Sequence, residues 1–102
     1  AYRALRFARN DKTALPGFDE TIFAEHAGAD RRTLESILAE VRCVRESTRM
    51  LFHSMDEAAL LRTGEMSKTE LPVLAIGFTL IGHQNHHMRI LEERYFPMLQ
   101  TV

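Results

Sequence analysis

The stretch Asp30–Met55, DRRTLESILAEVRCVRESTRMLFHSM, decides the fold class. Leu34, Ile37, Leu38, Val41, Val44, Thr48, Leu51, Phe52 and Met55 recur in it at i, i+3, i+4 spacing, the period of an α-helix. Asp30 offers a side-chain oxygen to cap the first turn. The pattern therefore predicts a helix from Arg31 to Ser54, roughly 36 Å long at about 1.5 Å per residue. Its other faces carry Glu35, Glu40, Arg42, Arg45, Glu46 and Arg49, so one stripe packs and the rest meets water. Cys43 falls within the periodic run, where a partly packed small residue is expected rather than a nucleophile.

Downstream, Asp56 caps a short helix through Leu61, which Gly64 is expected to end. Ser67-Lys68-Thr69-Glu70 has the form of a capping box, so a final helix is expected to start there and run to Arg94 or Tyr95, before Pro97. That helix would approach 42 Å at roughly 1.5 Å per residue, with Pro72 perturbing it just past the first turn. On its wheel Leu74, Phe78 and Ile81 face away from Ile76, Leu80 and His83, so its first half needs partners on more than one side.

Upstream, Ala1, Ala4, Leu5 and Ala8 recur at helical spacing, with Arg3, Arg6 and Arg9 on the polar side. This reads as the last turns of a helix that begins before Ala1, ended by Asn10-Asp11-Lys12. Leu15-Pro16-Gly17-Phe18-Asp19 is a loop, because Pro presets a turn and Gly permits positive φ after it. The connection runs to about Asp30 with a short turn around Thr21 to Glu25, and Phe18, Ile22 and Phe23 are expected to dock it onto the body. No segment shows convincing period-two alternation, so the expected class is all-α. Two long helices, a short one and a helix stump do not complete a four-helix bundle. Either a first helix is absent, or another subunit supplies the missing surface.

The chain of 102 residues, 45% hydrophobic, is long enough for one domain over residues 1–102 and too short for two. A formal charge of -1 gives no reason to expect a nucleic-acid partner. With one cysteine no intrachain disulfide can form, which fits a reducing cytoplasm. The longest nearly uncharged run, Leu71 to Ile81, is too short to span a bilayer, and no signal peptide is visible.

Three of the five histidines fall within Gly82-His83-Gln84-Asn85-His86-His87. His83 and His87 are four residues apart, which places their Cβ atoms about 5 to 6 Å apart on one helix face. Two imidazoles so placed can converge on one divalent ion, which takes nitrogen at roughly 2.0 to 2.1 Å. Ile76, Leu80 and Ile90 share that face, so the pair is expected in a seam directed toward the bundle interior. A pair supplies two ligands only, and the alternative is that the imidazoles hydrogen-bond to neighbours or water in a wet helix interface. His86 is rotated about 60° away and reads as a supporting or surface residue. His26 and His53 read as solvated or capping residues, and Glu92-Glu93-Arg94 as a solvated helix end, although Arg94 lies below the histidines and would suit an anionic ligand. There is no Gly-rich phosphate loop, no Gly-x-Ser-x-Gly elbow and no His-Glu-x-x-His helix.

Gly82 to Ile90, followed by Glu93-Arg94-Tyr95, resembles the last helix of the DinB-like family of metal-binding helical bundles, with its Gly-His-x-x-His-His signature. Tyr2 to Asp11 and Leu15 to Asp19 resemble the end of that family's second helix and the loop after it. The resemblance implies an up-down-down-up four-helix bundle, commonly dimeric, lacking here the first helix and the start of the second. It implies a divalent ion (Zn, Ni, Mn or Fe) held by three histidines, two of which map onto His83 and His87. The third is expected about two to three helical turns before Ala1, at about 3.6 residues per turn. Related members include thiol-dependent transferases and proteins linked to metal-dependent hydrolysis, so a low-molecular-weight thiol or another small substrate is expected. The competing class is a non-enzymatic helical interaction protein with structural histidines.

Overall fold

A computed structural model of the chain describes residues 1–99 and is mostly helical, with one small antiparallel hairpin. Helix α1 (Tyr2–Ala8) ends at Asn10, whose φ of 60° turns the backbone out of the helix. Helix α2 (Glu20–His26) starts where the Asp19 carboxylate accepts from the amides of Thr21 and Ile22. Phe18, Ile22 and Phe23 do not dock onto the body as expected. They remain exposed, and the rings of Phe18 and Phe23 lie 4.6 Å apart against each other.

The long helix α3 covers Leu34–His53, and its cap is Thr33, not Asp30. Asp30 lies in a 3₁₀ turn, Ala29–Arg31, that follows Gly28 in the left-handed region. The hydroxyl of Thr33 instead accepts from the Ser36 amide at 3.1 Å. Helix α4 (Glu57–Leu61) is capped by Asp56, which accepts from the Ala59 amide at 2.8 Å, as its sequence predicts.

The principal correction follows α4. Residues 67–72, expected to open the final helix, instead form the turn and second strand of a hairpin, with β1 (Thr63–Met66) paired to β2 (Thr69–Pro72) in the register Glu65 opposite Glu70 and Gly64 opposite Leu71. Ser67 and Lys68 both have positive φ, the turn that suits the right-handed twist of a two-residue hairpin. Pro72 explains why the capping box does not act. In a helix starting at Ser67, Pro72 would lack the amide that bonds the Lys68 carbonyl, and its ring would collide with that carbonyl, costing about 3 kcal/mol. Leu71 is biased toward extended backbone for the same steric reason. Helix α5 therefore begins directly after the proline, spanning Val73–Ile90. Gly64 does not end α4; it is the buried residue of β1.

Contrary to expectation, the helical run beyond Ile90 does not end at Arg94 or Tyr95, before Pro97. A π-helical turn, Leu91–Tyr95, leads into α6 (Phe96–Leu99). Widened turns of this kind loosen the usual i−4 bonding, and a proline has no amide to supply it.

The core lies where α1, α4, the hairpin and the start of α5 meet: Ala4, Phe7, Ala8, Val73 and Ile76 are buried, with Phe52, Met55, Ala59 and Leu60 packed against them. Gly64 lets the Phe7 ring lie against the β1 backbone, where a Cβ would collide with it. Three polar ties close this end. Arg62 donates to the Ala8 carbonyl at 2.5 Å, Lys12 to the Thr63 carbonyl at 2.8 Å, and the Val73 amide to the Arg62 carbonyl at 2.9 Å.

Away from that end the expected bundle does not close around a core. Between Leu34 and Met50 only Ile37 and Thr48 are even half-buried, and Cys43 is exposed, not partly packed. Helix α3 meets α5 at its C-terminal end, where Phe52 lies over Gly77. The molecule measures 52 × 28 × 23 Å with a radius of gyration of 16.6 Å. A compact domain of this length has about 13 Å. Among the described residues no helix is long and apolar enough to cross a membrane.

Candidate metal centre

Helix α5 carries the histidines in its second half, where the apolar pattern of Val73 to Ile81 gives way to polar residues. The i, i+4 spacing brings His83 and His87 together as expected. Their Nε2 atoms lie 2.9 Å apart, and their rings meet edge to face with centroids 4.4 Å apart. At that distance the two ring nitrogens are hydrogen-bonded, with donor and acceptor set by the tautomers. His86 stands 5.6 Å from His87, centroid to centroid, and supplies no third nitrogen at the Nε2 pair.

The pair does not lie in an enclosed seam. His83, His86 and His87 are all exposed, although Ile76 on the same face is buried and Leu80 and Ile90 are half-buried. The apolar stripe was readable from periodicity, but what lies opposite it is a property of the assembled molecule, and α1 and α3 do not cover this part of α5.

The geometry can be tested against an ion. A tetrahedral ion bound at about 2.0 to 2.1 Å needs its two nitrogens roughly 3.3 Å apart, and an octahedral one about 2.9 Å. The observed separation matches the second and is within a small ring rotation of the first. The separation alone is compatible with two adjacent positions of either coordination shell, and it is equally the separation of a hydrogen bond between the two rings. Among the described residues no group of three or more His, Cys, Asp or Glu side chains is arranged to hold an ion.

The other histidines lie apart from the pair, on α2 and at the end of α3. Nδ1 of His26 lies 2.9 Å from the Ile22 carbonyl within α2, and His53 is exposed at the end of α3. Arg94 sits in the π-helical turn and is exposed with Glu92 and Glu93. The three arginines of α1 are not a uniform solvated face. Arg3 donates to the Pro16 carbonyl at 3.3 Å, whereas Arg6 pairs with the Asp11 carboxylate and donates to the Tyr2 hydroxyl at 2.7 Å.

Compared with known proteins, the chain matches no protein-family model, no curated protein and no solved structure.

Proposed function

We propose that this protein is a cytoplasmic, DinB-like divalent-metal-binding helical protein, assembled as a homodimer or higher homo-oligomer, in which His83 and His87 supply two of three metal ligands. The observation that carries the reading is the 2.9 Å approach of the two Nε2 atoms on one face of α5. The third ligand, by the resemblance, is a histidine on the helix that precedes Ala1. The packing is compatible with that: α1 ends at the hairpin where α5 begins, so a helical continuation ahead of α1 would run along α5 toward His83 and His87.

A three-ligand site leaves an open coordination position. A metal there would stabilise the thiolate of a low-molecular-weight thiol for transfer, or lower the pKa of bound water toward neutrality for hydrolysis. His83 and His87 would hold the ion. His86, against the ring of His87, would limit its rotation.

The intact protein, purified without chelators, is expected to carry stoichiometric Zn, Ni, Mn or Fe by mass spectrometry. His83→Ala and His87→Ala should each abolish that metal while leaving the helical circular dichroism in place, because both side chains are exposed. Metal-free wild type, or full metal retention in both variants, would end the metal reading. A second reading, a non-enzymatic interaction protein, is favoured by the exposed Leu38, Val41 and Val44 of α3 and Leu74, Phe78 and Ile81 of α5. Metal content separates the two.

A further inference from the structure

Helix α2 presents an apolar face that its own chain leaves uncovered. A helix of seven residues is marginal in water by itself and draws its stability from packing of such a face. Phe18, Ile22 and Phe23 form that face, and all three are exposed, with the two rings lying against each other. Among the described residues no hydrogen bond or ion pair joins residues 18–26 to α1, α3, α4, α5 or the hairpin. The charge of the segment is one-sided as well. Residues 13–30 contain Asp19, Glu20, Glu25 and Asp30 and no lysine or arginine.

A surface of the opposite character lies between α3 and α5. Phe52, Leu74, Gly77, Phe78 and Ile81 line a groove of about 390 Å³ there, and Leu74, Phe78 and Ile81 are exposed along it. Its charged rim comes from α3. Glu46 is spent on Arg49 at 2.6 Å, and among the described residues Arg45 has no ion-pair partner, so the rim is net positive. An apolar groove with a basic rim complements an apolar helix with acidic flanks, in shape of burial and in sign of charge.

Within one chain the arm and the groove are held apart. Arg3 bonds the Pro16 carbonyl just ahead of α2, and the Arg31 side chain lies over Gly28 just behind it, where a Cβ would collide with the guanidinium. From Leu34, α3 then runs eleven residues to Arg45, roughly 16 Å at about 1.5 Å per residue. Seating α2 in its own groove would break these ties, whereas a second copy meets both surfaces as they stand.

We propose that α2 of one copy seats in the α3–α5 groove of a second copy, with Phe18, Ile22 and Phe23 against Phe52, Leu74 and Phe78 and the α2 carboxylates around Arg45. Each chain offers one arm and one groove, so the exchange made both ways closes as a two-fold dimer. The inference rests on the oligomeric part of the proposed function and is independent of the metal.

The test uses the intact protein with Cys43→Ser, an exposed position whose replacement leaves no native thiol. One preparation also carries Phe23→Cys and another Phe78→Cys, both exposed and outside the core. Mixed under mild oxidation, the two should give a disulfide-linked dimer of one chain of each kind as the main cross-linked product by mass spectrometry. Without cysteine changes, Phe18→Ser with Phe23→Ser should raise the dimer dissociation constant at least about tenfold by light scattering, equivalent to about 1.4 kcal/mol. Arg45→Glu should raise it about threefold, and Arg45→Lys should leave it in place. A dimer indifferent to the double serine variant, or a mixture with no hetero-linked product, would overturn the α2 contact and leave the oligomer standing. A monomeric chain carrying both Phe23→Cys and Phe78→Cys that closes its disulfide internally would place the arm in its own groove and overturn it too. Wild type that stays monomeric at every concentration would remove the oligomeric reading and this contact with it.

Discussion

Asp11 ties the end of α1 to the loop that follows. Its carboxylate accepts from the Thr13 amide at 2.8 Å and pairs with Arg6, which also holds the Tyr2 hydroxyl. The hydrogen bonding from Thr13 first, and the Arg6 guanidinium after it, hold the Asp11 carboxyl below its ordinary value of 3.8. A carboxylate whose pKa is lower folded than unfolded adds stability above the unfolded value, and that stability is lost as pH falls through the folded one. The expected outcome is a component of acid destabilisation below about pH 4 that Asp11→Asn removes, read by thermal unfolding between about pH 2 and 6. The substitution should also lower stability at neutral pH. If wild type and variant lose stability in parallel on acidification, the assigned cause is wrong. Phe7 and Gly64 show a different residue-scale dependence: the ring occupies the space that any Cβ at Gly64 would need. No local pattern in the sequence links the two, since they lie far apart in the chain and meet only once the hairpin has formed.

The hairpin is the element whose formation the sequence pattern hid. Ser67, Thr69 and Glu70 satisfy a helix-capping motif as well as they satisfy a turn and a strand. The deciding residue is Pro72, whose cost in a helix interior exceeds the roughly 1 kcal/mol that a cap returns. Weighing those two magnitudes would have placed the helix start at Val73. The turn carries its own cost, because Ser67 and Lys68 occupy a region that side-chain-bearing residues disfavour, by roughly 1 to 2 kcal/mol each. Replacing both by the preferred pair, Ser67→Asn with Lys68→Gly, should stabilise the chain by about 1 kcal/mol and raise the unfolding midpoint by about 4 to 8 °C. No rise, or a fall, would mean that the Lys68 side chain contributes more than its backbone costs. Helix α4 was legible because Asp56 is a local cap with one competent geometry, whereas the sequence announces α2 only as a short turn around Thr21 to Glu25 and places its cap, Asp19, in the loop. Asp30 and Thr33 were not separable, since each could cap a helix and only the 3₁₀ turn at Ala29–Arg31 assigns the role. The histidine pair was legible from spacing alone, whereas the groove is gathered from α3 and α5, far apart in the chain, and no local pattern announces which faces of the two meet.

At the scale of the molecule the apolar surface exceeds what the fold buries. Among the described residues five side chains form the core, while α3 and α5 leave a largely apolar cleft of about 390 Å³ beside Phe52, Leu74, Phe78 and Ile81. Phe78 is 68% exposed and Val44 58%. Single exposed apolar residues are ordinary, but contiguous ones on two helices are a surface that water does not favour. Burying a Phe or a Val side chain yields about 1.5 to 3 kcal/mol, so a few such contacts rival the total stability of a small domain. The isolated chain should therefore either associate through these faces or partly unfold, and the oligomeric reading predicts the first. Light scattering coupled to size exclusion should give a mass above that of one chain, rising with concentration. Phe78→Glu and Val44→Glu should each shift the population toward the monomer, since each buries a charge in the contact. X-ray scattering from a monomer with a radius of gyration near 13 Å, the compact value for this length, would overturn the expectation, because the faces would then have closed on each other within one chain.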